Sequence, residues 1–443
     1  MTIDNPFFHR GAIRRPEEFY GREAELNQIL GLLRNGQSVS LVGPRRIGKS
    51  SLLLHLCRPK VRKRLDLSDE RAIFALIDCQ ELGGSPPEEV YEALFTSVVE
   101  SSGAILEQIE TNERPGTYRA LDRILNQIQR MGISVVVLLD EFELLAANEQ
   151  LTPYFFARLR GLTTKYGLAY VTASQRPLFA ITADEKILSS PFFNIFATLG
   201  LGLFTESESR GLIDQRLGTT SLSFPNSLID YLLALVGRHP CYLHIAGYHA
   251  LQEYVQLNEA YDESFLNKIE APIELEIESH LGYQWQNLTN EERYCLATSV
   301  GPTTANGAID TIRQLEQQCL IENTEDRYVF TSEVLRRFVR RQEVEGLIQA
   351  GPFVIDEQRH KVHAGGTDMA LTTSQFDLLV RLSIQAGQVV PGEKLEIAVW
   401  GDALVNDPDR LKTLIKRLRR AIEPFSSWIV SERGIGYTLR SPN

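Results

Sequence analysis

The chain has 443 residues, 43% hydrophobic and 23% charged, room for about three globular domains of ordinary composition. No apolar run approaches the roughly 18 residues of a membrane span and the first residues carry no apolar signal segment, so the sequence reads as cytoplasmic and free of membrane. A net charge of −11 argues against a general nucleic-acid coat, but it is uneven: residues 351–443 hold 12 Lys/Arg against 11 Asp/Glu, leaving −12 on the rest.

VSLVG (39–43) reads as a short buried strand. GPRRIGKS (43–50) then matches G-x-x-x-x-G-K-[ST] at every defined position, and SLLLHL (51–56) reads as the helix that must follow. Such a loop turns backbone N–H groups toward phosphates and adds the positive end of a helix dipole. Gly43, Pro44, Arg45, Arg46, Ile47, Gly48, Lys49, Ser50 and Ser51 are therefore the expected nucleotide-binding run. Lys49 is assigned to the β/γ-phosphates and the Ser50 hydroxyl to Mg²⁺.

RAIFALIDCQ (71–80) reads as the next strand. ISVVVLLDEFELL (133–145) is a β-branched run ending in carboxylates, the pattern of a strand buried on both faces of a parallel sheet. Asp140 at its edge would complete the Mg²⁺ shell and Glu141 would orient or polarise a water, so Lys49, Asp140 and Glu141 form the expected catalytic set. GLAYVTASQ (167–175) is a further strand. Its polar end, Ser174 and Gln175, has two readings: a sensor of the γ-phosphate, or a plain strand end before Pro177. Helical patterns alternate with the strands, a βαβ layout. Arg158, Arg160 and Arg176 lie near positions for an arginine finger, but each reads first as a surface or salt-bridge residue.

Residues 206–280 read as helices, with Ser207 and Ser209 where an N-cap is wanted. His239, His244 and His249 are spaced by five around Cys241, which suits packing better than metal ligation from one helix face. The five cysteines are scattered without CxxC spacing and read as reduced thiols. Residues 281–342 give a helix opened by the capping box Thr289-x-x-Glu292, a second helix, a short strand and a basic helix with Arg336, Arg337, Arg340 and Arg341. That is the order of a winged-helix module, its basic run reading first as a solvated or packed face and second as a DNA contact.

QEVEGLIQAGP (342–352) reads as a linker. Short strand-like runs follow, then helices in TSQFDLLVRLSIQAG, PGEKLEIAVWG and DPDRLKTLIKRLRRAIEP, and two strands around a glycine turn. In the third helix Leu411, Leu414, Ile415, Leu418 and Ile422 form one stripe. Thr413, Lys416 and Arg420 lie opposite, flanked by Lys412 and Arg417. Alone, this is either a basic surface helix or one that reaches phosphates and guanine edges in a major groove.

FYGREAEL (19–26), GPRRIGKSSLL and GRHPCYLHIAG (237–247) resemble STAND/AAA-like P-loop ATPases over roughly residues 6–345. The resemblance implies that the Gly-Arg-Glu segment and the lid proline flank the adenine, which adds Gly21, Arg22, Glu23 and Pro240 to the nucleotide-binding set, with His239 weaker. LTTSQFDLL, VVPGEKLEIAVWG, LIKRLRRAIEP and ERGIGYTL together resemble the OmpR/PhoB-type winged helix-turn-helix of response regulators across nearly all of 351–441. That resemblance implies a third helix in the major groove, with Thr413, Lys416, Arg417 and Arg420 reading DNA beside Lys412, and Arg433 in a hairpin that reaches the minor groove. It also implies that the loop Gly401–Pro408 meets RNA polymerase. One departure stands out: an ATPase occupies the place of a receiver domain with a phosphorylatable aspartate.

The expected architecture is an α/β P-loop NTPase core with a parallel sheet (1–205), a helical lid (206–280), a winged helix (281–345) and an OmpR/PhoB-type DNA-binding domain (346–443). ATP and Mg²⁺ are the expected cofactors. Double-stranded DNA is the expected partner, RNA polymerase a further one, and a homo-oligomer the expected unit on paired half-sites. The expected function is an ATP-dependent switch that regulates transcription and is reset by slow hydrolysis. The alternative is an ATPase scaffold of a conflict/defence or signalling complex whose tail binds a protein.

Overall fold

The computed structural model describes residues 4–7, 11–65, 71–103, 114–181, 191–257, 263–298, 309–324, 327–365, 367–401 and 409–440. They fall into two compact units, Met1–Ile273 and Glu274–Asn443.

The first unit contains α1 (Glu23–Arg34), β1 (Ser38–Val42), α2 (Lys49–Leu56), β2 (Ala72–Asp78), α3 (Pro87–Ser101), α4 (Tyr118–Arg130) and β3 (Ser134–Asp140). It continues with α5 (Phe142–Ala146), α6 (Pro153–Tyr166), β4 (Ala169–Ser174) and β5 (Phe196–Gly200). The five strands are parallel, in the order β2-β3-β4-β1-β5. β1 is buried at every position and β3 at all but its two ends, as strands covered on both faces must be. Leu94 and Val98 of α3, Leu121 and Ile128 of α4, and Phe155 and Leu159 of α6 pack on one face.

Strand order positions the site. β4 lies between β1 and β3, with Val42 opposite Ser174 and Leu139 opposite Thr172. The carboxyl ends of three neighbouring strands therefore place the phosphate loop, Gln175 and Asp140 along one edge, where open α/β sheets bind ligands. β5 went unread because FATLG has no continuous apolar run and its side chains are half-buried or exposed.

Three helices follow: α7 (Glu206–Leu217), α8 (Asn226–Val236) and α9 (Pro240–Gln256). The N-cap of α7 is Thr205 rather than Ser207 or Ser209. Its hydroxyl accepts the Glu208 N–H at 3.2 Å, and Glu208 accepts the Thr205 N–H at 2.9 Å. This reciprocal capping box satisfies two orphan donors, which a serine inside the helix cannot do. α10 (Glu263–Gln286) comes next.

In the second unit α11 (Asn290–Thr298) opens on the expected box, Thr289 N–H to Glu292 at 2.7 Å and Glu292 N–H to Thr289 Oγ1 at 3.1 Å. α12 (Ile309–Gln317), the hairpin β6 (Ile321–Thr324) and β7 (Arg327–Phe330), and α13 (Glu333–Arg340) complete a winged helix. The expected linker is in part a strand, β8 (Leu347–Ala350). It pairs antiparallel with β9 (Phe353–Asp356), and β10 (Lys361–Ala364) and β11 (Thr367–Asp368) extend the sheet to four strands.

Then come α14 (Thr373–Ile384), β12 (Val390–Pro391), α15 (Gly392–Trp400), α16 (Arg410–Ala421), β13 (Ile429–Glu432) and β14 (Gly436–Leu439). β12, β14 and β13 form a three-stranded wing sheet, and Phe353, Leu378, Leu395, Leu414 and Leu418 share one core. Gly436 is required in the hairpin, since a Cβ there would lie 1.9 Å from the Val390 carbonyl oxygen. The chain is thus a parallel P-loop sheet with helices, followed by two winged-helix modules. Among the described residues no helix is long and apolar enough to cross a membrane.

Candidate nucleotide site and nucleic-acid interface

The phosphate loop leaves β1 at Gly43, whose N–H donates to the Ser174 carbonyl at 3.1 Å. It enters α2 through Gly48 at φ 108°, a backbone conformation open to glycine and strained for other residues. Lys49 is buried, with Nζ donating to the carbonyls of Gly43 at 2.8 Å and Pro44 at 2.9 Å. Burial lowers its pKa, opposed by the charges of Glu143, Asp140 and Glu141. The Asp140 pKa is raised by burial, against a hydrogen bond from the Ser50 hydroxyl and one from the Glu141 N–H at 3.0 Å. Glu141 sits at φ 48° as N-cap of α5, its pKa raised by burial and by Asp140 and Glu143.

These groups line a cavity of about 240 Å³. Of the predicted set, Arg22, Arg45, Arg46, Ile47, Gly48, Lys49, Ser50, Ser51, Asp140, Glu141 and Pro240 face it. Gly43 and Pro44 lie behind it as acceptors for Lys49. Gly21 and Glu23 are outside the lining; Glu23 pairs with Arg64 at 2.5 Å. Arg22 is 4% exposed and serves as a brace: its guanidinium donates to the Gly202 carbonyl at 2.5 Å and the Ile47 carbonyl at 3.3 Å, and lies 4.6 Å over the Phe204 ring. Its N–H donates to Glu208 Oε1 at 3.1 Å. Burial raises the Glu208 pKa, but the N–H groups of Thr205 and Arg22 outweigh it and the net shift is downward.

Sequence reasoning missed part of the wall. The Ile13 N–H donates to Ser51 Oγ at 3.0 Å, which holds residues 11–13 along the cavity. Phe19 stacks on His55 at 3.9 Å, and burial together with Arg58 lowers the His55 pKa to about 4. Cys241 and His244 line the cavity beside Pro240, while His239 stacks on Tyr242 at 4.2 Å. Among the described residues no group of three His, Cys, Asp or Glu is arranged for a metal ion. Arg158 lies over the rings of Tyr118 and Tyr154, at 4.9 and 4.4 Å.

In the second unit Leu411, Leu414, Ile415, Leu418 and Ile422 are buried, while Lys412, Thr413, Lys416, Arg417, Arg420 and Arg433 are all exposed. α16 is tied to the wing by Arg419, which donates to the Ile429 carbonyl at 2.7 Å and Ser431 Oγ at 3.0 Å. This residue sits between the apolar stripe and the basic face, so spacing alone did not mark it. Residues 402–408, most of the loop assigned to polymerase contact, lie outside the described residues.

A family model described as "Novel STAND NTPase 2" matches residues 27–303, and one described as "Transcriptional regulatory protein, C terminal" matches 366–439. The chain is 37% identical over 98 residues to the sensory transduction protein RegX3 of Mycolicibacterium smegmatis, a stretch that is 21% of this chain and 43% of that protein. It is 29% identical over 108 residues to the response regulator ArlR of Staphylococcus aureus, 24% of this chain and 49% of that one. The chain thus spans half or less of the length of these relatives. A Walker-type ATPase of Pyrococcus abyssi aligns over 76% of this chain and 99% of its own, with a TM-score of 0.56 and 17% identity, a likeness of fold. The first of these matches takes in more than half of the sequence: the chain belongs to the novel STAND NTPase 2 family and carries a C-terminal domain of the OmpR/PhoB type.

Proposed function

We propose that this chain is a nucleotide-responsive transcription regulator. Mg²⁺–ATP on the phosphate loop sets the state of the first unit, and that state governs sequence-specific binding of double-stranded DNA by α16 and the β13–β14 hairpin. The observation that carries the reading is the union in one chain of a cavity lined by Lys49, Ser50, Asp140 and Glu141 with a helix whose solvent face is Lys412, Thr413, Lys416, Arg417 and Arg420.

The donor set suits the ligands. The Ser50 hydroxyl and Asp140 carboxylate, hydrogen-bonded to each other, are hard oxygen donors of the kind Mg²⁺ takes together with phosphate oxygens. Bound there, the ion would supply positive charge to offset that of the phosphates. Lys49 would exchange two backbone carbonyls for the β/γ-phosphates. Glu141, in the cavity wall with a raised pKa, would orient the attacking water and draw its proton, and slow hydrolysis would reset the switch. Arg22 supplies a route outward: it touches Ile47 in the loop, Gly202 beyond β5 and, through its N–H, Glu208 of α7. A hundredfold preference of ATP over ADP for one state corresponds to about 2.7 kcal/mol. The unit on DNA is a homo-oligomer reading paired half-sites, with RNA polymerase as a further partner.

The test is DNA binding of the purified chain against genomic fragments with ATP, ADP or no nucleotide, at two salt concentrations. Selective enrichment that changes with nucleotide is expected. Selective binding indifferent to nucleotide would remove the switch, and no selective binding would favour a scaffold whose tail binds protein. Lys49→Ala is expected to weaken nucleotide binding by roughly a hundredfold, the worth of a charge-assisted phosphate contact, read by fluorescent-nucleotide titration.

A further inference from the structure

The chain ahead of α1 is sewn to both sides of the cavity. On the side of the phosphate loop its partners lie on α2 or just after it. The Ile13 N–H donates to Ser51 Oγ at 3.0 Å, the Arg58 guanidinium donates to the Arg14 carbonyl, and Phe19 stacks on His55 at 3.9 Å. On the other side it is held by α7 and α9. Asn5 Nδ2 donates to the Tyr248 carbonyl of α9 at 2.9 Å. From α7, Gln215 Nε2 donates to the Glu17 carbonyl at 3.2 Å and Arg216 donates to the Glu18 carbonyl at 2.5 Å. Ile13, Phe19 and Tyr20 of this strap line the same cavity as Leu212 of α7 and Pro240 and His244 of α9.

Two glycines make this docking specific. Gly211 of α7 and Gly247 of α9 sit inside helices, where glycine weakens the backbone relative to alanine. A Cβ at Gly211 would lie 1.8 Å from the Tyr20 hydroxyl oxygen, and one at Gly247 would lie 2.4 Å from the Phe7 ring. Each helix thus carries a notch that admits an aromatic side chain of the strap. The joint with α7 is closed but incompletely satisfied. Gln215 Oε1 and Arg216 Nε are buried and have no hydrogen-bond partner among the described residues. Buried polar groups left unpaired cost stability, and exposure to water recovers it. The closed joint therefore fits tightly in shape while its polar groups favour opening.

We propose that the strap, residues 5–7 and 11–20, is a latch: it undocks from α7 and α9 each time a nucleotide enters or leaves the cavity, and it sets the exchange rate in both directions. This rests on the nucleotide site proposed above. A gate and a fixed wall differ in their kinetics. Weakening a gate speeds entry and exit together, because both pass through the open state, and leaves the equilibrium constant nearly unchanged. Losing a wall contact speeds exit alone.

The experiment is stopped-flow binding of a fluorescent ATP analogue with Mg²⁺ to the full chain, for the wild type, Gly211→Ala, Gly247→Ala, and Gly211→Ala combined with Tyr20→Phe. Neither glycine lines the cavity. Thermal melts without nucleotide check that each variant folds. Each single change should raise the association and dissociation rate constants together by about tenfold, which is about 1.4 kcal/mol of latch stability, and keep Kd within about threefold of wild type. Tyr20→Phe removes the oxygen that the new Cβ at position 211 meets first, so the double variant should return both rates toward wild type. Faster dissociation with unchanged association would make the strap a wall and overturn the latch. Unchanged rates in the single variants, or no recovery in the double variant, would overturn it as well. Should Gly211→Ala not fold, the two rates of Gly247→Ala decide by the same criterion. Wild-type protein that binds no nucleotide would overturn the nucleotide site itself and this inference with it, whereas the other failures leave that site standing.

Discussion

α13 and α16 look alike in sequence, each an amphipathic helix dense in arginine, yet they use that charge in opposite ways. Around α13, Glu333 accepts from both Arg336 and Arg337. Glu274 of α10 accepts from Arg337 at 2.5 Å, and Glu278 of α10 from Arg341. Arg340 is exposed, and partial desolvation together with neighbouring Arg336 lowers its pKa. On α16 the exposed Lys416, Arg417 and Arg420 have no ion pair among the described residues, and Lys412 pairs only with Asp409 at 3.1 Å. A basic run therefore does not announce a nucleic-acid surface. What decides is whether another element supplies the carboxylates.

The strongest way to break this contrast is to remove charge from each helix in turn. Lys416→Ala with Arg420→Ala should weaken specific DNA binding by roughly a hundredfold and flatten its salt slope by about two. Arg336→Ala with Arg341→Ala should leave affinity and slope unchanged. Equal losses in a salt-titrated binding assay would mean that both helices touch DNA.

A second test asks whether the module carrying α13 is a packing partner of the tail. The Tyr294 hydroxyl of α11 donates to Asp356 Oδ2 at 2.5 Å at the end of β9, and Arg359 lies 4.6 Å over the Tyr294 ring. Burial raises the Asp356 pKa, but the Tyr294 hydroxyl, the Arg359 N–H and the Arg359 charge outweigh it, and the net shift is downward from the ordinary 3.8. A carboxylate with a depressed folded pKa stabilises above its unfolded value and loses that contribution as pH falls through the folded one. Asp356→Asn should therefore cost about 1–2 kcal/mol at neutral pH. The gap to wild type should narrow as pH drops below 3.8. A gap that stays constant with pH in denaturant melts would remove the electrostatic part of this clasp.

The same contrast shows what a sequence carries and what it does not. The phosphate loop, the β3 carboxylates and the α16 stripe were legible because each is encoded in one contiguous run with its own spacing. The brace from Arg22 to Glu208 spans 186 positions, the hydrogen bond from Gln175 to Glu143 spans 32 and the Arg337–Glu274 pair 63. Such contacts depend on which strands and helices become neighbours, which no local period encodes. The N-cap at Thr205 and strand β8 were missed for a different reason. Their local signals were present but weaker than the serines and glycines beside them.

The subtlest test reverses the masking of α13. If Glu274 and Glu278 neutralise its arginines, then Glu274→Gln with Glu278→Gln keeps shape and hydrogen-bonding capacity while removing two negative charges beside Arg337 and Arg341. These pairs are part-exposed, so each is worth less than about 1 kcal/mol and the fold should survive. Non-specific DNA affinity should rise a few-fold at low salt, and the gain should vanish at high salt, where exposed charges are screened within about a Debye length. A rise would show that carboxylates alone keep α13 from nucleic acid. No change at any salt would place the restraint in the position of α13 against α10, and its arginines would then be structural whatever their charge.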